Sequence, residues 1–214
     1  MADIDGVKIN RMFDYLSAGT YPLAHADGAF VFGRADPLVA VRTAELLTNR
    51  LVDYALIVGG IGKDSGHLKE LKCPEAIYLA GLLRWRHAIP DGKIWVESSP
   101  TNGAECCQRG IEFILNEDLR HARLTVVVHP TSLRRIRATL DVHGSARKFN
   151  TEWQSTGTEY KFNPENPADQ REATAELLRL ADWPINGWCA PQADLPLDLV
   201  EVARCYKTAW DAER

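Results

Sequence analysis

The chain alternates between short apolar runs and longer segments with helical periodicity. The apolar runs are continuous, which is typical of strands buried on both faces of a parallel sheet. They predict strands at 28–33, 54–60, 93–97 and 124–129. Apolar residues near the 3.6 period predict helices at 7–17, 37–49, 74–88, 101–116 and 132–142. Alternating strands and helices predict an α/β fold with a doubly wound, mainly parallel, Rossmann-like sheet.

The last third of the chain departs from this alternation. After a polar, loop-like stretch, two further helices are predicted at 168–182 and 197–211. The tryptophans of this segment indicate that it packs on the sheet rather than extending into solvent; they are Trp153, Trp183, Trp188 and Trp210. We therefore predict a Rossmann-like domain over 1–150 and a helical C-terminal extension over 151–214.

Composition and charge narrow the functional classes. The chain has 214 residues and a net charge of −4, so it lacks the basic footprint of a nucleic-acid-binding protein. No apolar run approaches the ~20 residues of a membrane-spanning helix, and the acids near the N-terminus do not fit a signal peptide. Five cysteines without a metal-binding spacing indicate reduced thiols. A cytoplasmic protein that binds neither nucleic acid nor membrane is expected; its oligomeric state is not predicted.

Prolines mark where the chain leaves the predicted strands. Asp36-Pro37, Ser99-Pro100 and His129-Pro130 each lie near a strand's C-terminal end and before a helix. Proline is tolerated in the first turn of a helix because its missing N–H would have no partner there. Parallel strands end at a common edge of the sheet, where open α/β sheets bind their ligands. We therefore expect the binding site among the residues that follow the strands.

A glycine-rich segment follows the second predicted strand, Gly59-Gly60-Ile61-Gly62-Lys63-Asp64-Ser65-Gly66. Glycines allow a backbone to approach a ligand closely and to present N–H groups to an anion. The spacing is neither that of a Walker A loop nor that of a dinucleotide fingerprint. A loop that lines a ligand is predicted, and a flexible connection is the alternative.

The stretch from Trp95 to Cys107 combines acids, an amide and hydroxyl groups at a strand end. Asn102 and Glu105 have the spacing of a capping box. In a second register Ser99 caps the helix, and Asn102 then faces the crevice. Glu97 ends the strand, where an acid could hold ribose hydroxyls or a cation. Capping and ligand binding both remain open for this stretch.

The segment after the fourth predicted strand carries hydroxyl groups and arginines. Thr131 or Ser132 could cap the helix that follows. A helix N-terminus with nearby arginines favours an anionic group. One of the three arginines is expected at the crevice, and the alternative is a solvated basic face. Earlier in the chain, Glu75 suits the first turn of a helix whether or not it binds a ligand.

Four of these motifs together resemble one bacterial family. They are Leu56-Ile-Val-Gly-Gly-Ile-Gly62, Glu75-Ala76, Lys93-Ile-Trp-Val-Glu97 with Thr101-Asn102-x-x-Glu105, and Val126-Val-Val-x-Pro130-Thr-x-x-Arg134-Arg135. In this order and spacing they are similar to the YdcF-like proteins of the YdcF/SanA/ElyC family of domains of unknown function. The resemblance covers about residues 28–142. The chain departs from the family pattern at Pro100, Gly103, Cys106 and Ser132.

The resemblance implies a polar pocket at the C-terminal edge of the sheet, with S-adenosylmethionine as the suggested ligand. Glu97 would then take the ribose hydroxyls, and Arg135 with a helix N-terminus would take the carboxylate. The predicted ligand-binding residues are Gly33, Gly59, Gly60, Gly62, Glu75, Glu97, Asn102, Glu105, Thr131 and Arg135.

Three functional hypotheses follow. The first is a small-molecule-binding protein of the YdcF type with a nucleotide-like ligand, for which S-adenosylmethionine is the candidate, and with no reaction assigned. The second is a metal-dependent hydrolase or phosphoryl-transfer enzyme that uses Glu75, Glu97 and Glu105, since carboxylates suit a hard cation. The third is a non-catalytic module whose polar edge binds a partner protein.

Overall fold

A computed structural model describes residues 5–62 and 65–212. It contains five parallel strands, which are β1 (Ala26–Phe32), β2 (Val52–Val58), β3 (Ile94–Glu97), β4 (Arg123–Val128) and β5 (Glu152–Gly157). The longer helices are α1 (Gly6–Ser17), α2 (Pro37–Thr48), α3 (Glu75–Trp85), α4 (Gly103–Asn116), α5 (Leu133–Ala146), α6 (Pro167–Asp182) and α7 (Leu197–Ala212). The predicted Rossmann-like α/β fold is confirmed.

The strand order of the sheet is β3-β2-β1-β4-β5, with β1 at the centre. From β1 the chain moves outward through β2 to β3, and then crosses back to β4 on the other side of β1. The crossovers therefore diverge between the C-terminal ends of β1 and β4. In open α/β sheets such a switch point leaves a crevice that can hold a ligand.

Helices cover both faces of the sheet because successive strand residues point to opposite sides. On one face Val31 and Ile57 pack with α2 and α3. On the other face Phe30 and Leu56 pack with α4 and α5. Burial on both faces explains why these strands are continuous apolar runs in the sequence.

A third apolar cluster joins the two ends of the chain. Residues of α1, such as Met12, pack against Leu177 of α6 and Val200 of α7, and Ala138 of α5 completes the contact. The helices predicted at 168–182 and 197–211 are present with nearly these bounds. Trp183 and Trp210 pack against this cluster, while half of Trp188 is exposed.

Strand β5 lies in the segment predicted to be a helical extension, and the sequence analysis did not find it. It pairs with β4 along its whole length, from Glu152 to Gly157. Its buried side chains are polar, and Gln154 donates to Thr125 Oγ1 at 2.8 Å. A strand whose buried residues are hydrogen-bonded polar groups gives no apolar signal in the sequence.

Gly110 in α4 and Gly81 in α3 form a matched pair for testing the packing of the helices. Alanine should gain up to ~1 kcal/mol over glycine inside a helix. At Gly81 an added Cβ meets nothing within 4 Å, whereas at Gly110 it would overlap the Phe30 ring. We expect Gly81→Ala to stabilise the protein by ~0.5–1 kcal/mol and Gly110→Ala to destabilise it by ~1–2 kcal/mol. Denaturant unfolding measures both, and equal effects would contradict the packing of α4 on β1.

Candidate functional site

A cavity of about 610 Å³ lies at the switch point. Gly33 and Arg34 follow β1 on one side of it, and His129 and Ser132 follow β4 on the other. The first turn of α4 forms a further wall near Asn102. The volume falls within the range of small-molecule sites, which is ~300–1,000 Å³.

Helix α6 covers the cavity with a charged face. Arg171, Glu172, Ala175, Glu176 and Arg179 all belong to the lining. Their spacing places them on one side of the helix, because residues three and four apart are neighbours on a helix surface. The sequence analysis predicted this helix but assigned it no functional residues. The sequence does contain a signal for these residues: charges recur at helical spacing in a segment that is predicted to pack on the sheet.

A buried ion pair joins α5 to α6. The Arg135 guanidinium donates to both carboxylate oxygens of Glu176, and its side chain is only 11% exposed. Arg179 donates to the same carboxylate at 2.6 Å, and the Ser132 hydroxyl donates at 3.2 Å. Burial would raise the pKa of Glu176, but the two arginines lower it below its ordinary value. The carboxylate is therefore charged within the wall of the cavity.

A second network ties α6 to the loops after β1 and β4. Arg34 donates to both oxygens of Glu172, at 2.7 and 2.8 Å. The Thr131 hydroxyl also donates to Glu172, at 2.6 Å, and lies 2.8 Å from His129 Nδ1. Burial would raise the pKa of Glu172, but these hydrogen bonds and the charge of Arg34 lower it to about 2. Glu172 is thus ionised at neutral pH.

His129 is a neutral imidazole at neutral pH. Burial, with a smaller contribution from the Arg34 charge, lowers its pKa from 6.5 to about 4. The Tyr160 ring packs against the imidazole, with the two ring centroids 4.4 Å apart. His129 therefore faces the site as an uncharged polar group.

Cys106 lies in the cavity wall but is not suited to nucleophilic chemistry. Burial and the nearby carboxylates, of which Glu75 acts most strongly, raise the pKa of this thiol to about 12. A thiol in this state is almost wholly protonated at neutral pH, whereas the thiolate is the reactive form. We therefore assign Cys106 a packing role.

The structure divides the ten predicted site residues into two groups. Six line the cavity: Gly33, Gly59, Gly62, Glu75, Asn102 and Arg135. Four lie outside its lining: Gly60, Glu97, Glu105 and Thr131. Thr131 nevertheless acts on the site through its hydrogen bonds to Glu172 and His129.

The glycines of the site are explained by contacts within the protein. An added Cβ at Gly33 would meet Glu75 and Gly59 at about 3 Å or less. At Gly60 and Gly62 it would come within 2.7 Å of backbone oxygens in the 98–101 segment. These glycines allow the loops at the strand ends to pack closely. Lys63 and Asp64 of the same predicted loop lie outside the described residues.

In the stretch from Trp95 to Cys107, side-chain oxygens accept hydrogen bonds from nearby backbone N–H groups at the start of α4. The Asn102 side chain accepts from the Glu105 N–H at 3.0 Å, so Asn102 is the N-cap of α4. Glu105 accepts from the Thr101 N–H at 2.7 Å, and Glu97 accepts from the Ser99 N–H at 2.8 Å. The alternative register, with Ser99 as the cap, is wrong. Asn102 both caps the helix and contributes to the cavity wall.

The acids considered for a metal site do not form one. Glu97 and Glu105 accept hydrogen bonds from neighbouring backbone N–H groups. Neither of them lines the cavity, whereas Glu75 does. Within residues 5–62 and 65–212, no three His, Cys, Asp or Glu side chains are arranged to hold a metal ion. The described residues thus offer no geometric support for the metal-dependent hydrolase hypothesis.

Comparisons with known proteins leave the fold and the cavity as the basis for assigning function. No family model matches the chain, and no curated protein matches it. None of the helices in the described ranges is long and apolar enough to cross a membrane. The strand order defines the class as a Rossmann-like α/β protein with a candidate site at its switch point.

Removing Arg135 should destabilise the fold, because Glu176 would then keep only the partly exposed Arg179 as a charged partner. Breaking a buried pair typically costs ~3–5 kcal/mol. With Arg179 retained, we expect Arg135→Met to lose ~2–4 kcal/mol in denaturant unfolding. The double variant Arg135→Met/Glu176→Leu should recover part of this loss. A single variant as stable as the parent would contradict the structural role of the pair.

Because the buried His129 imidazole is neutral in the folded protein, the protein should lose stability in mild acid. The folded-state pKa is about 4 and the ordinary value 6.5, so the unfolded chain takes up this proton first as the pH falls. Stability should therefore fall by ~3 kcal/mol between about pH 6.5 and pH 4. Glu172, with its folded pKa near 2, adds a further loss below about pH 4.5.

The His129→Gln variant should lack the upper part of this pH dependence. Melting temperatures measured from pH 7.5 to pH 4 test it, with the exposed His67→Gln as the control for loss of an imidazole. If the melting temperature fell equally steeply with pH in His129→Gln and in the parent protein, His129 would not be the cause of the acid sensitivity.

Proposed function

We propose that this protein binds a nucleotide-like small molecule carrying a carboxylate or phosphate in the cavity at the switch point. The observation that carries the proposal is the position of Arg171. This arginine is exposed and belongs to the cavity lining, and among the described residues no carboxylate lies within ion-pair distance of it. Within the described part of the chain it is therefore a positive charge that no carboxylate neutralises.

The other cavity arginines support an anionic ligand. Arg34, Arg135 and Arg179 are held in place by Glu172 and Glu176. Arginines fixed in this way present their remaining N–H groups at little entropic cost. The N-terminus of α4 also faces the cavity, and its dipole favours negative charge. The chain as a whole has a net charge of −4, so this basic surface is local.

Apolar side chains provide a surface for the rest of the ligand. Phe32, Ile136 and Trp183 belong to the lining, and Trp183 is only partly buried. The Arg135 and Arg179 guanidinium groups lie 5.3 and 5.7 Å from the centre of the Trp183 ring. An aromatic ring beside basic groups is suited to a heterocycle linked to an anion.

S-adenosylmethionine is the specific candidate that the resemblance to YdcF-like proteins suggests. The residues present fit it in part: the arginines of α5 and α6 would hold its carboxylate, and Glu75, an acid of the cavity lining, would take the ribose hydroxyls. Glu97, first expected in that position, does not line the cavity. When bound, this cofactor supplies an activated methyl group. Membership of that family is part of the proposal.

The proposal places the protein in the cytosol. All five cysteines are free, which is typical of a reducing compartment. The alternative of a partner-binding module predicts instead that no small molecule stabilises the protein.

Thermal shift measurements with a ligand panel test the proposal. The panel contains S-adenosylmethionine, S-adenosylhomocysteine, adenosine monophosphate, a dinucleotide, a sugar phosphate and methionine. A ligand at 100 times its dissociation constant stabilises the folded state by ~2.7 kcal/mol, which is a shift of several degrees. A shift with the adenosine compounds supports the proposal. No shift with any member would contradict it and favour the partner-binding module.

The Arg171→Ala variant should weaken binding with little effect on the fold, because among the described residues no carboxylate loses its partner and the guanidinium is exposed, 5.7 Å from the centre of the Trp210 ring. Loss of one charge-assisted hydrogen bond typically costs ~1.5–3 kcal/mol, or roughly 10- to 150-fold in affinity. Calorimetric titration with the panel member that gives the largest shift measures this change. Arg86→Ala, which removes the same charge outside the cavity lining, should bind as the parent does. An equal loss of ligand affinity in both variants would show that Arg171 acts only through its long-range charge and not through contact with the ligand.

A further inference from the structure

The hydrogen bonds around His129 determine which of its ring nitrogens carries the proton. The Thr131 hydroxyl oxygen lies 2.6 Å from a Glu172 oxygen, a distance that requires a hydrogen between them. Glu172 is ionised and paired with Arg34, so the hydrogen belongs to Thr131. Since the Thr131 hydrogen is used in this way, its oxygen accepts from His129. Nδ1 of His129 is therefore the protonated nitrogen.

The opposite nitrogen, Nε2, is left as a hydrogen-bond acceptor. Within the described ranges no protein group bonds Nε2, although the His129 side chain is only 2% exposed. The Nδ1 edge of the ring is used by Thr131 and Glu172, and His129 belongs to the cavity wall. Nε2 itself is not enclosed by protein atoms, so it is accessible from the cavity to a ligand or to water that can donate to it.

We propose that Nε2 of His129 accepts a hydrogen bond from a hydroxyl or N–H group of the cavity ligand, and that this ligand is a ribonucleoside compound with an anionic group and a free sugar hydroxyl. This inference rests on the proposed function. Toward His129, Thr131 and Glu172 are positioning residues, because they fix the orientation and tautomer of the imidazole. The arginines bind the anionic group of the ligand, and His129 accepts a hydrogen bond from a donor elsewhere on the ligand.

The alternative of a general base is less well supported. The groups around the imidazole are Arg34 and Asp36 from the loop after β1, Asp169 and Glu172 from α6, and Tyr160. Burial and the Arg34 charge lower the pKa of His129 to about 4, although the three carboxylates act in the opposite direction. An efficient base at neutral pH has a pKa near 7. The imidazole is thus better suited to recognition than to proton transfer.

The first test needs no ligand. Two-dimensional NMR of protein labelled with ¹⁵N-histidine reports which ring nitrogen is protonated, and the His129→Gln spectrum assigns the His129 signals. We expect Nδ1 to be protonated and Nε2 unprotonated at pH 7. The Thr131→Val variant should lose the preference for a proton on Nδ1, whereas Thr131→Ser, which keeps the hydroxyl, should retain it. A proton on Nε2 in the parent protein, or no change in Thr131→Val, would overturn the assignment.

The second test uses adenosine monophosphate and its 2′,3′-dideoxy analogue as probes. The parent protein should bind the hydroxyl-bearing probe about tenfold more tightly, since one hydrogen bond is worth ~1–1.5 kcal/mol. His129→Phe, checked for folding by its circular dichroism, should bind both probes equally. Equal binding by the parent would overturn the donor assignment. Failure of the parent to bind adenosine monophosphate would overturn the ligand class and count against the proposed function, and the NMR result would still decide the tautomer.

Discussion

The ion pair between Arg135 and Glu176 is the contact on which the cavity depends. Helix α6 is attached to the rest of the protein by apolar packing with α1 and α7, on the side away from the strand ends. The face directed toward the sheet is charged. A nearly buried carboxylate must keep its arginines close, because the cost of an unpaired charge there is several kcal/mol. This requirement sets how far α6 lies from the ends of the strands.

The two carboxylates of α6 connect the two halves of the sheet. Glu172 and Glu176 are one helical turn apart, and each binds an arginine from a different strand end. Arg34 follows β1, and Arg135 lies in the first turn of the helix after β4. One helix therefore bridges the switch point, and the same contacts that hold it in place orient arginines and an imidazole toward the cavity. The side chains that hold α6 in place are therefore also the ones that line the candidate site.

The parts of the fold that the sequence predicts are those that depend on local signals. Strands β1 to β4 are continuous apolar runs, and the residues that follow them reach a common edge, so one of the three arginines after β4 could be placed near the site. The choice of Arg135 among them came from the resemblance to YdcF-like proteins, and for Asn102 capping and ligand binding both remained open. Strand β5 lacked that signal because Gln154 and its neighbours are buried as hydrogen-bonded polar groups. Glu172 and Glu176 could not be assigned because their contacts join segments about 40 residues apart or more. Of the predicted glycines, Gly33, Gly59 and Gly62 line the cavity and Gly60 does not, and the close contacts of all four are with the protein's own atoms.

The position of α6 in the chain has a consequence for how the protein is made. The sheet strands β1 to β4 are complete by residue 128, but the covering helix ends only at residue 182. Because chains emerge from the ribosome N-terminus first, a nascent chain can pair its central strands while the crevice between them still has no lid. During that interval the apolar and basic side chains of the crevice face solvent or chaperones. The enclosed cavity is thus one of the last features of the molecule to form.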